Sequence, residues 1–589
     1  MRFSQLCDAY LELSQTAKRL EKTALIAALL KEVPDSDMAE VMMLLKGRVY
    51  PEWDKTQLGI SSKLAIRAIS MASGESETKI VQQFKKTGDI GQVCQQLLSK
   101  RKQSTLASSE LSVKDVIKGM RKISTIEGSG SVDLKLRTIA HLLNNASPLE
   151  ARFLIRILLE DLRIGIADGT IRDAIIQYAL EKHGLHVIPA DKPPKAEDSG
   201  VQTPAQEWRA AVQDAIDRSN DVAKVAVTAR HEGLEGLRGI DLTIGVPIRV
   251  MLAQKETEVA AALTRVGTPA ALEYKYDGFR MQVHRDKEGK ITLFTRRLEN
   301  VTDQFPDVVE FIKEVKVACI LDCEAVGYDP KTGKYTAFQQ ISQRIRRKYD
   351  IDTLMKELPV ELNVFDILYH ENESVYLRPF EERRKLIEKI IPNRPGHIKP
   401  SDLLIAHAEA EVESFYKKSL AAGNEGIMLK TLAAPYKPGS RVGFMVKMKP
   451  VMDELDVVIV GAEWGEGKRS GWLTSFTIAV LDDDGNFVEI GRFGTGLKEL
   501  EQEGGTTFSQ VTDLLKDDIL AEEGKEVRLK PNIVVEVKFE EIQRSPSYSS
   551  GFALRFPRFV RLRDDRRPEE ISTLSDVMDA YEAQRGRNK

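Results

Sequence analysis

Cysteine is scarce in this sequence, with 4 residues among 589. Cys7, Cys94, Cys319 and Cys323 form no C-x-x-C pair. Disulfide frameworks and cysteine-based zinc sites need more numerous or closely paired cysteines, so neither is predicted. A chain without disulfides fits a reducing compartment, and we expect a cytoplasmic protein.

Long apolar runs are missing as well. No stretch reaches the roughly 18 apolar residues that a membrane-spanning helix requires. The first residues, MRFSQLCD, lack the apolar core of a secretory signal, so we expect no membrane association. With 42% hydrophobic and 30% charged residues, the composition is that of an ordinary globular protein. The length predicts roughly three to four domains.

An excess of basic residues is also lacking, since 86 Lys and Arg face 89 Asp and Glu for a net charge of −3. This balance gives no overall attraction to nucleic acids, although a balanced total can hide a segregated surface. Basic residues cluster at 100–102, 344–348 and 555–567. Charge runs usually form solvated faces, so no single cluster predicts a DNA contact.

The chain up to about residue 187 has helical periodicity. Apolar residues recur at helical spacing over 61–71, 113–123 and 151–164. A Pro-rich polar segment over 188–204 predicts a loop, and an amphipathic helix is predicted over 206–230. Three glycines between 233 and 239 then mark a domain boundary.

Strands become frequent after this boundary. Residues 240–449 mix short strands with helices, which predicts an α+β domain. After Pro450 the apolar runs are short and strand-like, with a turn at Asp484-Gly485. These runs are Val457–Val460, Thr477–Val480 and Ile533–Val537. Several short strands with few helices predict a small β-barrel.

Residues 273–280, EYKYDGFR, carry the most specific signal. Apolar residues alternate around the following turn, which places Lys275 at or near a strand end. A lysine has a reference pKa of ~10.4, so it acts as a nucleophile at neutral pH only when desolvated or surrounded by cations. A surface lysine before a turn explains this segment alone equally well.

Five further segments follow in sequence order. They are LDCEAV at 321–326, NVFDIL at 363–368, EGIMLK at 425–430, MVKMK at 445–449 and LRFPRFVR at 554–561. Together with KYDGFR they resemble the ordered motifs of the covalent nucleotidyltransferases, which include ATP-dependent DNA ligases, RNA ligases and mRNA-capping enzymes. The fourth and sixth motifs, and an N-terminal segment around LRIG at 162–165, resemble ATP-dependent DNA ligases of the archaeal and eukaryotic type.

The resemblance implies a multidomain architecture. It implies an all-α N-terminal DNA-binding domain over 1–238, an α+β adenylation domain over 239–449 and a C-terminal β-barrel OB-fold over 450–589. The implied function is the sealing of nicks in double-stranded DNA during replication, repair and recombination. ATP would be the co-substrate, Mg²⁺ or another divalent cation would be needed, and we expect the protein to act as a monomer.

The resemblance also assigns roles at the nucleoside. Lys275 would become covalently linked to AMP. Glu273 would accept a hydrogen bond from the adenine amino group, and Phe365 would stack on adenine. Glu324 would face the ribose, and Glu324 and Glu425 would be the carboxylates available to the metal. Further nucleotide contacts are implied for Arg280, Arg296 and Arg441.

The remaining assigned residues are cations near the phosphates. Lys430, Lys447 and Lys449 would surround the α-phosphate and stabilise its negative charge. Arg555, Arg558 and Arg561 of the sixth motif would orient pyrophosphate. The family commonly continues with Asp-Lys, whereas this chain reads Asp564-Asp565-Arg566, and arginine is not equivalent to lysine.

A sliding clamp is a second candidate partner. Residues 100–106, KRKQSTL, lie where relatives can carry a clamp-binding peptide around a glutamine, here Gln103. Such peptides usually end in an aromatic pair, but Leu106-Ala107 stands there, so this segment does not favour clamp binding.

Three alternative functions can be weighed. An RNA ligase or capping guanylyltransferase would share the chemistry but would not need the helical N-terminal third. An NAD-dependent ligase is disfavoured because the four-cysteine zinc motif is missing. A catalytically inactive nucleic-acid scaffold would not need the residues that are intact here, namely Lys275, Glu324, Glu425, Lys447 and Lys449.

Overall fold

The computed structural model describes residues 1–51, 53–54, 56–100, 110–128, 130–185, 203–336, 341, 344, 351–450, 453–466, 469–499 and 505–583. The predicted Pro-rich loop, the clamp-peptide segment around Gln103 and most of the 344–348 basic cluster lie outside these residues. Among the described residues, no helix is long and apolar enough to cross a membrane.

Helices make up the regular structure of the described residues up to Ile240. They are α1 (Phe3–Gln15), α2 (Arg19–Glu32), α3 (Met38–Leu45), α4 (Ser62–Ser73), α5 (Glu77–Thr87), α6 (Ile90–Leu98), α7 (Val113–Ser124), α8 (Ser131–Asn145), α9 (Pro148–Leu158), α10 (Asp168–Lys182), α11 (Pro204–Ser219), α12 (Val222–His231) and α13 (Gly233–Gly239). One hydrophobic core joins them, from Phe3 to Ile240.

Two predicted helices end earlier than the periodicity indicated. Helix α9 begins with a capping box between Ser147 and Glu150 but ends at Leu158, because Glu160 and Arg163 adopt positive φ angles. The helix predicted over 206–230 is wrong as a single element. Asn220 adopts φ 47° and ends α11, and the Asp221 carboxylate then caps α12.

Residues 242–448 form two sheets with helices packed on them. The strands are β1 (Leu252–Glu256), β2 (Ala270–Lys275), β3 (Phe279–Arg285), β4 (Ile291–Thr295), β5 (Cys319–Asp329), β6 (Lys334–Thr336), β7 (Val360–His370), β8 (Glu373–Ser374), β9 (Ile398–Pro400), β10 (Leu403–Ala406), β11 (Gly426–Thr431) and β12 (Arg441–Met448). The helices are α14 (Val259–Val266), α15 (Pro306–Ile312), α16 (Ile351–Glu357), α17 (Phe380–Ile390) and α18 (Glu409–Ala421).

The two sheets meet around the predicted nucleophile. One has the strand order β1-β12-β11-β2-β10, and the other has the order β4-β3-β5-β7-β8, with β6 on β5 and β9 on β7. Strand β2 ends at Lys275 in the first sheet, and β3 begins four residues later in the second. Gly278 makes this crossing, since a Cβ there would lie 2.4 Å from the carbonyl oxygen of Ala325.

The last part of the chain is mostly β-structure. Its elements are β13 (Asp453–Trp464), β14 (Leu473–Leu481), β15 (Phe487–Phe493), α19 (Phe508–Leu515), β16 (Ile519–Glu523), β17 (Glu526–Leu529), β18 (Val534–Phe539), β19 (Glu541–Arg544), β20 (Phe552–Arg555), β21 (Arg558–Leu562) and α20 (Leu574–Ala583). Strand β13 pairs with β18 through its first half and with β17 through its second, which curves the sheet. A separate core between Leu455 and Val577 fills its interior.

Ion pairs join the three parts of the chain. Arg249, just before β1, lies 2.8 Å from Asp168 and 3.9 Å from Asp217 of the helical part. Lys449, just after β12, lies 2.5 Å from Glu540 of the C-terminal β-structure. The C-terminal part therefore contacts the end of β12, in the sheet that carries Lys275.

Candidate active site

Lys275 is the last residue of β2 and is partly buried. Its Nζ donates to the Glu425 carboxylate, and the backbone N–H of Glu425 donates to the Lys275 carbonyl at 2.9 Å. The pairing of β2 with β11 creates this contact, because Gly426 lies directly opposite Lys275. The sequence prediction of a lysine at a strand end is therefore confirmed.

Glu273 precedes Lys275 by two residues, so the two side chains project from the same face of β2. The Glu273 side chain is buried, and its carboxylate accepts from Ser401 Oγ at 2.7 Å and pairs with Lys430. Arg384 Nη1 lies 3.5 Å from Glu273 Oε1. A buried carboxylate with several donors is held in one orientation at low cost.

Glu324 lies on β5, opposite Arg280 of β3. Burial raises the pKa of Glu324 to about 8, although Lys275 and Arg280 oppose this shift, and Glu425 adds to it. Glu425 contacts the Lys275 amine directly, and Glu324 interacts electrostatically with both Lys275 and Glu425. Two carboxylates flanking one lysine make a site that can hold a proton or a hard cation.

Arg280 is fixed in a buried network. Its Nε lies 2.8 Å from Asp322 Oδ1 and its Nη2 lies 2.5 Å from Oδ2, while Nη1 donates to the Met251 carbonyl at 2.8 Å. Tyr436 also donates to Asp322 at 2.8 Å. The Arg280 guanidinium lies 5.4 Å from the ring centroid of Phe365. Arg280 thus supports the aromatic ring predicted to stack on adenine, and its donors are already used by protein partners.

Lys447 and Lys449 lie at the end of β12, beside Lys275. Burial lowers the pKa of Lys447, and repulsion by Lys275, Lys449 and Arg441 lowers it further. These cations therefore share one region, as the sequence motif predicts. Burial disfavours the charged form of Glu540, but the hydrogen bond from Lys449 and the nearby Arg555 lower its pKa overall.

Arg555 ends β20 and reaches the Lys275 region from the C-terminal part. Its Nη1 lies 3.4 Å from Asp277 Oδ1 and 3.1 Å from Glu541 Oε2. Burial disfavours the charged guanidinium, but Asp277 and Glu541 together raise the pKa of Arg555. The contact with Asp277 joins segments that are 278 residues apart, whereas Glu541 lies directly opposite Arg555 in the pairing of β19 with β20.

Two other predicted site residues, Lys430 and Arg441, also have protein partners. The Lys430 ammonium pairs with Glu273 and lies 5.1 Å from the Phe365 ring centroid, displaced along the sheet from Lys275. The reason is register, since Lys430 lies opposite Ala271, four residues along β2 from Lys275. Arg441 is exposed at the start of β12 and donates to the Ala253 carbonyl at 2.8 Å.

The other arginines are also spread out. Arg296 is exposed just after β4, and among the described residues its side chain makes no hydrogen bond or ion pair. Arg558 is exposed at the start of β21, and Arg561 pairs with Glu536 at 2.9 Å. Arg555 is therefore the sixth-motif arginine that the structure brings to Asp277.

Sequence reasoning missed Ser401, Arg384, Glu540 and Glu541 as members of this region. Ser401 and Arg384 lie in segments without a recognisable motif, and only their contacts with Glu273 reveal them. Glu540 and Glu541 left one signal, an acidic pair directly after the apolar strand β18.

A metal site can be tested against these residues. In the described parts of the chain no group of three or more His, Cys, Asp or Glu side chains could hold a metal ion. Mg²⁺, however, usually takes only one or two carboxylates together with substrate phosphates and water. Glu324 and Glu425 supply such a pair of oxygen donors, so the residues present fit a cation that arrives with a nucleotide.

Most of the chain matches family models of known proteins. Residues 250–449 match the family model "ATP dependent DNA ligase domain", residues 2–176 match "DNA ligase N terminus" and residues 469–566 match "ATP dependent DNA ligase C terminal region". A DNA ligase of Nanoarchaeum equitans is 47% identical over 591 residues, covering 100% of this chain and 99% of the relative. A DNA ligase of Methanopyrus kandleri is 41% identical, with 99% of this chain and 99% of the relative aligned. A DNA ligase of Archaeoglobus fulgidus is 39% identical, with 99% of this chain and 98% of the relative aligned.

A solved structure named Pmar-Lig_PreS3 has a similar fold, with a TM-score of 0.54 and 16% identity over 95% of this chain and 99% of that one. The predicted adenylation domain and C-terminal OB-type domain are thereby confirmed. The full-length similarity to archaeal enzymes also confirms the resemblance drawn from the six motifs. The chain belongs to the ATP-dependent DNA ligase family, whose members seal nicks in DNA.

Proposed function

We propose that this chain seals nicks in double-stranded DNA through a covalent AMP adduct on Lys275. One observation carries the assignment: the Lys275 amine ends β2 on the Glu425 carboxylate, with Glu324, Lys447 and Arg555 close around it. A partly buried amine among carboxylates and cations suits an attack on a phosphate ester.

In the first step, the Lys275 Nζ lone pair attacks the α-phosphorus of ATP. An N–P bond forms, the bond from the α-phosphorus to the pyrophosphate oxygen breaks so that pyrophosphate leaves, and the proton of the amine passes to the Glu425 carboxylate. Glu425 holds the amine in position through its hydrogen bond. Lys447 and Lys449 stabilise the negative charge on the phosphates.

The nucleoside lies on the side of Glu273 and Phe365. Glu273 accepts a hydrogen bond from the adenine amino group, and Phe365 stacks on the base. The Arg280 guanidinium lies over the Phe365 ring and supports it. Glu324 faces the ribose. Arg296 and Arg441, which are exposed, contact the nucleotide only after it has entered.

Glu324 and Glu425 are the residues that would hold Mg²⁺, which supplies charge neutralisation at the phosphates. Glu425 would be available to such a cation once its contact with Lys275 is released. Arg555, Arg558 and Arg561 orient pyrophosphate. Arg555 is already at the pocket through Asp277, whereas Arg561 must leave Glu536.

In the second and third steps AMP moves to the 5′-phosphate of the nick, and the 3′-hydroxyl then attacks that phosphorus and releases AMP. We assign DNA binding to the helical domain over 1–238, adenylation to 239–449 and closure over the pocket to the OB-fold over 450–589. The protein acts as a cytoplasmic monomer in replication, repair and recombination. The segment near Gln103 gives no support for a sliding-clamp contact.

The test is a two-stage labelling experiment. The protein is incubated with α-labelled ATP, GTP or NAD and analysed on a denaturing gel, and nicked DNA is then added to the labelled protein. We expect label from ATP alone, followed by its transfer to DNA and release as AMP. Label from NAD, or label that nicked DNA fails to remove, would refute the proposal.

A further inference from the structure

Glu273 is held by a buried network of side chains, in which Ser401, Lys430 and Arg384 all lie within 3.5 Å of its carboxylate. Ser401, Arg384 and Lys430 are 1%, 7% and 5% exposed, and Glu273 is 2% exposed. They come from four separate elements: Glu273 from β2, Arg384 from α17, Ser401 from the residue after β9, and Lys430 from β11. Such a dry network has little freedom to rearrange.

The hydrogen bonds of this network are donated in sequence, from Arg384 to Ser401 and from Ser401 to Glu273. Arg384 Nη1 donates to Ser401 Oγ at 2.9 Å, and Nη2 donates to the Ser401 carbonyl at 2.8 Å. A guanidinium can only donate, so Ser401 Oγ accepts from it. The single hydroxyl proton of Ser401 is then left for Glu273 Oε1, at 2.7 Å.

This direction defines the state of the Glu273 carboxyl. Oε1 accepts from Ser401 and Oε2 pairs with the Lys430 ammonium, so both oxygens serve as acceptors. The carboxylate can therefore only accept further hydrogen bonds. Arg384 is itself held by Glu388, whose Oε1 accepts from Arg384 Nε at 2.8 Å.

We propose that Arg384 and Ser401 are positioning residues that make Glu273 an acceptor-only probe of the purine 6-position. This inference rests on the proposed function, in which Glu273 faces the base. An amino group at C6 donates to the fixed carboxylate, whereas a 6-oxo group presents an acceptor and is repelled. A carboxylate that is free to turn could instead accept from N1–H of a 6-oxopurine, so the selectivity requires the fixed orientation.

The test compares self-nucleotidylation with labelled ATP and labelled inosine triphosphate in the full-length protein. Ser401→Ala removes the hydroxyl and leaves Lys275 and its neighbours intact. We expect the ratio of kcat/KM for ATP to that for inosine triphosphate to fall roughly tenfold, the size of one charge-assisted hydrogen bond. The loss should appear mainly as a raised KM for ATP, with kcat close to that of the unchanged protein.

Two variants separate positioning from general stability. Ser219→Ala removes another buried serine hydroxyl, which donates to the Ala215 carbonyl at 2.7 Å in the helical part, and it should leave the nucleotide ratio unchanged. Arg384→Lys keeps the charge but loses the two-pronged contact with Ser401, and it should lower the ratio as Ser401→Ala does. Arg384→Lys carries the test if Ser401→Ala proves unstable in thermal unfolding.

The outcomes are distinguishable from failure of the proposed function. Glu273→Gln should collapse the ratio, because an amide also offers donors. If Glu273→Gln lowers the ratio while Ser401→Ala and Arg384→Lys leave it unchanged, or reduce both nucleotides equally, the positioning role is overturned and the base contact stands. If Glu273→Gln also leaves the ratio unchanged, the base contact itself is wrong.

Discussion

Arg555 and Asp277 are 278 residues apart in sequence, yet Arg555 Nη1 lies 3.4 Å from Asp277 Oδ1. Asp277 is two residues from Lys275, so this contact places the sixth motif against the first. Lys449 and Glu540 make a second contact across the same boundary at 2.5 Å. The C-terminal domain therefore contacts the adenylation domain beside Lys275.

Arg555→Ala should slow self-adenylation roughly 100-fold, since one preorganised cation at the phosphates is lost. Arg561→Ala is the matched comparison, because Arg561 lies on the same motif but pairs with Glu536, and its effect should be smaller. Removal of residues 450–589 should severely reduce the rate of self-adenylation, whereas the affinity for ATP should fall less. Single-turnover labelling measures the rate, and an Arg555→Ala variant as fast as the unchanged protein would contradict this arrangement.

Glu324 should make the stability of the nucleotide-free protein depend on pH. Burial raises the pKa of Glu324 from its ordinary 4.5 to about 8, so the folded state binds this proton more tightly than the unfolded state. The resulting stabilisation is complete below pH 4.5 and is lost as the pH rises through about 8. Glu324→Gln cannot ionise and escapes that loss.

Thermal unfolding of both proteins between these pH values measures the effect. The Tm of Glu324→Gln relative to the unchanged protein should increase with pH and level off above about 8. Glu288→Gln, on the exposed turn between β3 and β4, is the control and should give a constant difference. A constant difference for Glu324→Gln as well would show that this carboxyl is not strained by burial.

A chain that starts near Gly239 should still form the lysine–AMP adduct, since its residues include both sheets and the C-terminal domain. It should seal nicks poorly, because the helical domain is proposed to supply much of the DNA affinity. Contacts with phosphates release counterions, so the defect should deepen as salt rises from about 50 to 200 mM. Equal sealing by the short and full-length chains at the higher salt would remove the helical domain as the DNA clamp.

Local sequence patterns predicted much of the fold around the pocket. The apolar alternation placed the β3–β4 hairpin, and the apolar runs placed β13, β14 and β18. These predictions succeed because the alternation depends only on which face of a strand is buried. The same reasoning wrongly joined α11 and α12 into one helix, because apolar spacing does not indicate that Asn220 adopts a left-handed conformation.

The contacts of the site were less predictable than its members. The motifs identify Lys275, Glu273 and Lys430, but they do not say that the Lys430 ammonium lies on Glu273. That contact depends on the register of β11 against β2, which joins residues more than 150 positions apart. Ser401 and Arg384 could not be identified from the sequence, because neither lies in a segment with a characteristic pattern.

The covalent role of Lys275 is tested most directly by the chemical identity of the adduct. The unchanged protein is incubated with ATP, isolated free of nucleotide and analysed by mass spectrometry, alongside Lys275→Ala and Lys275→Arg. We predict one added AMP on a peptide that contains Lys275, and none on either variant, because alanine has no amine and a guanidinium is effectively never deprotonated. An adduct that persists in Lys275→Ala, or that maps to another residue, would show that Lys275 is not the nucleophile.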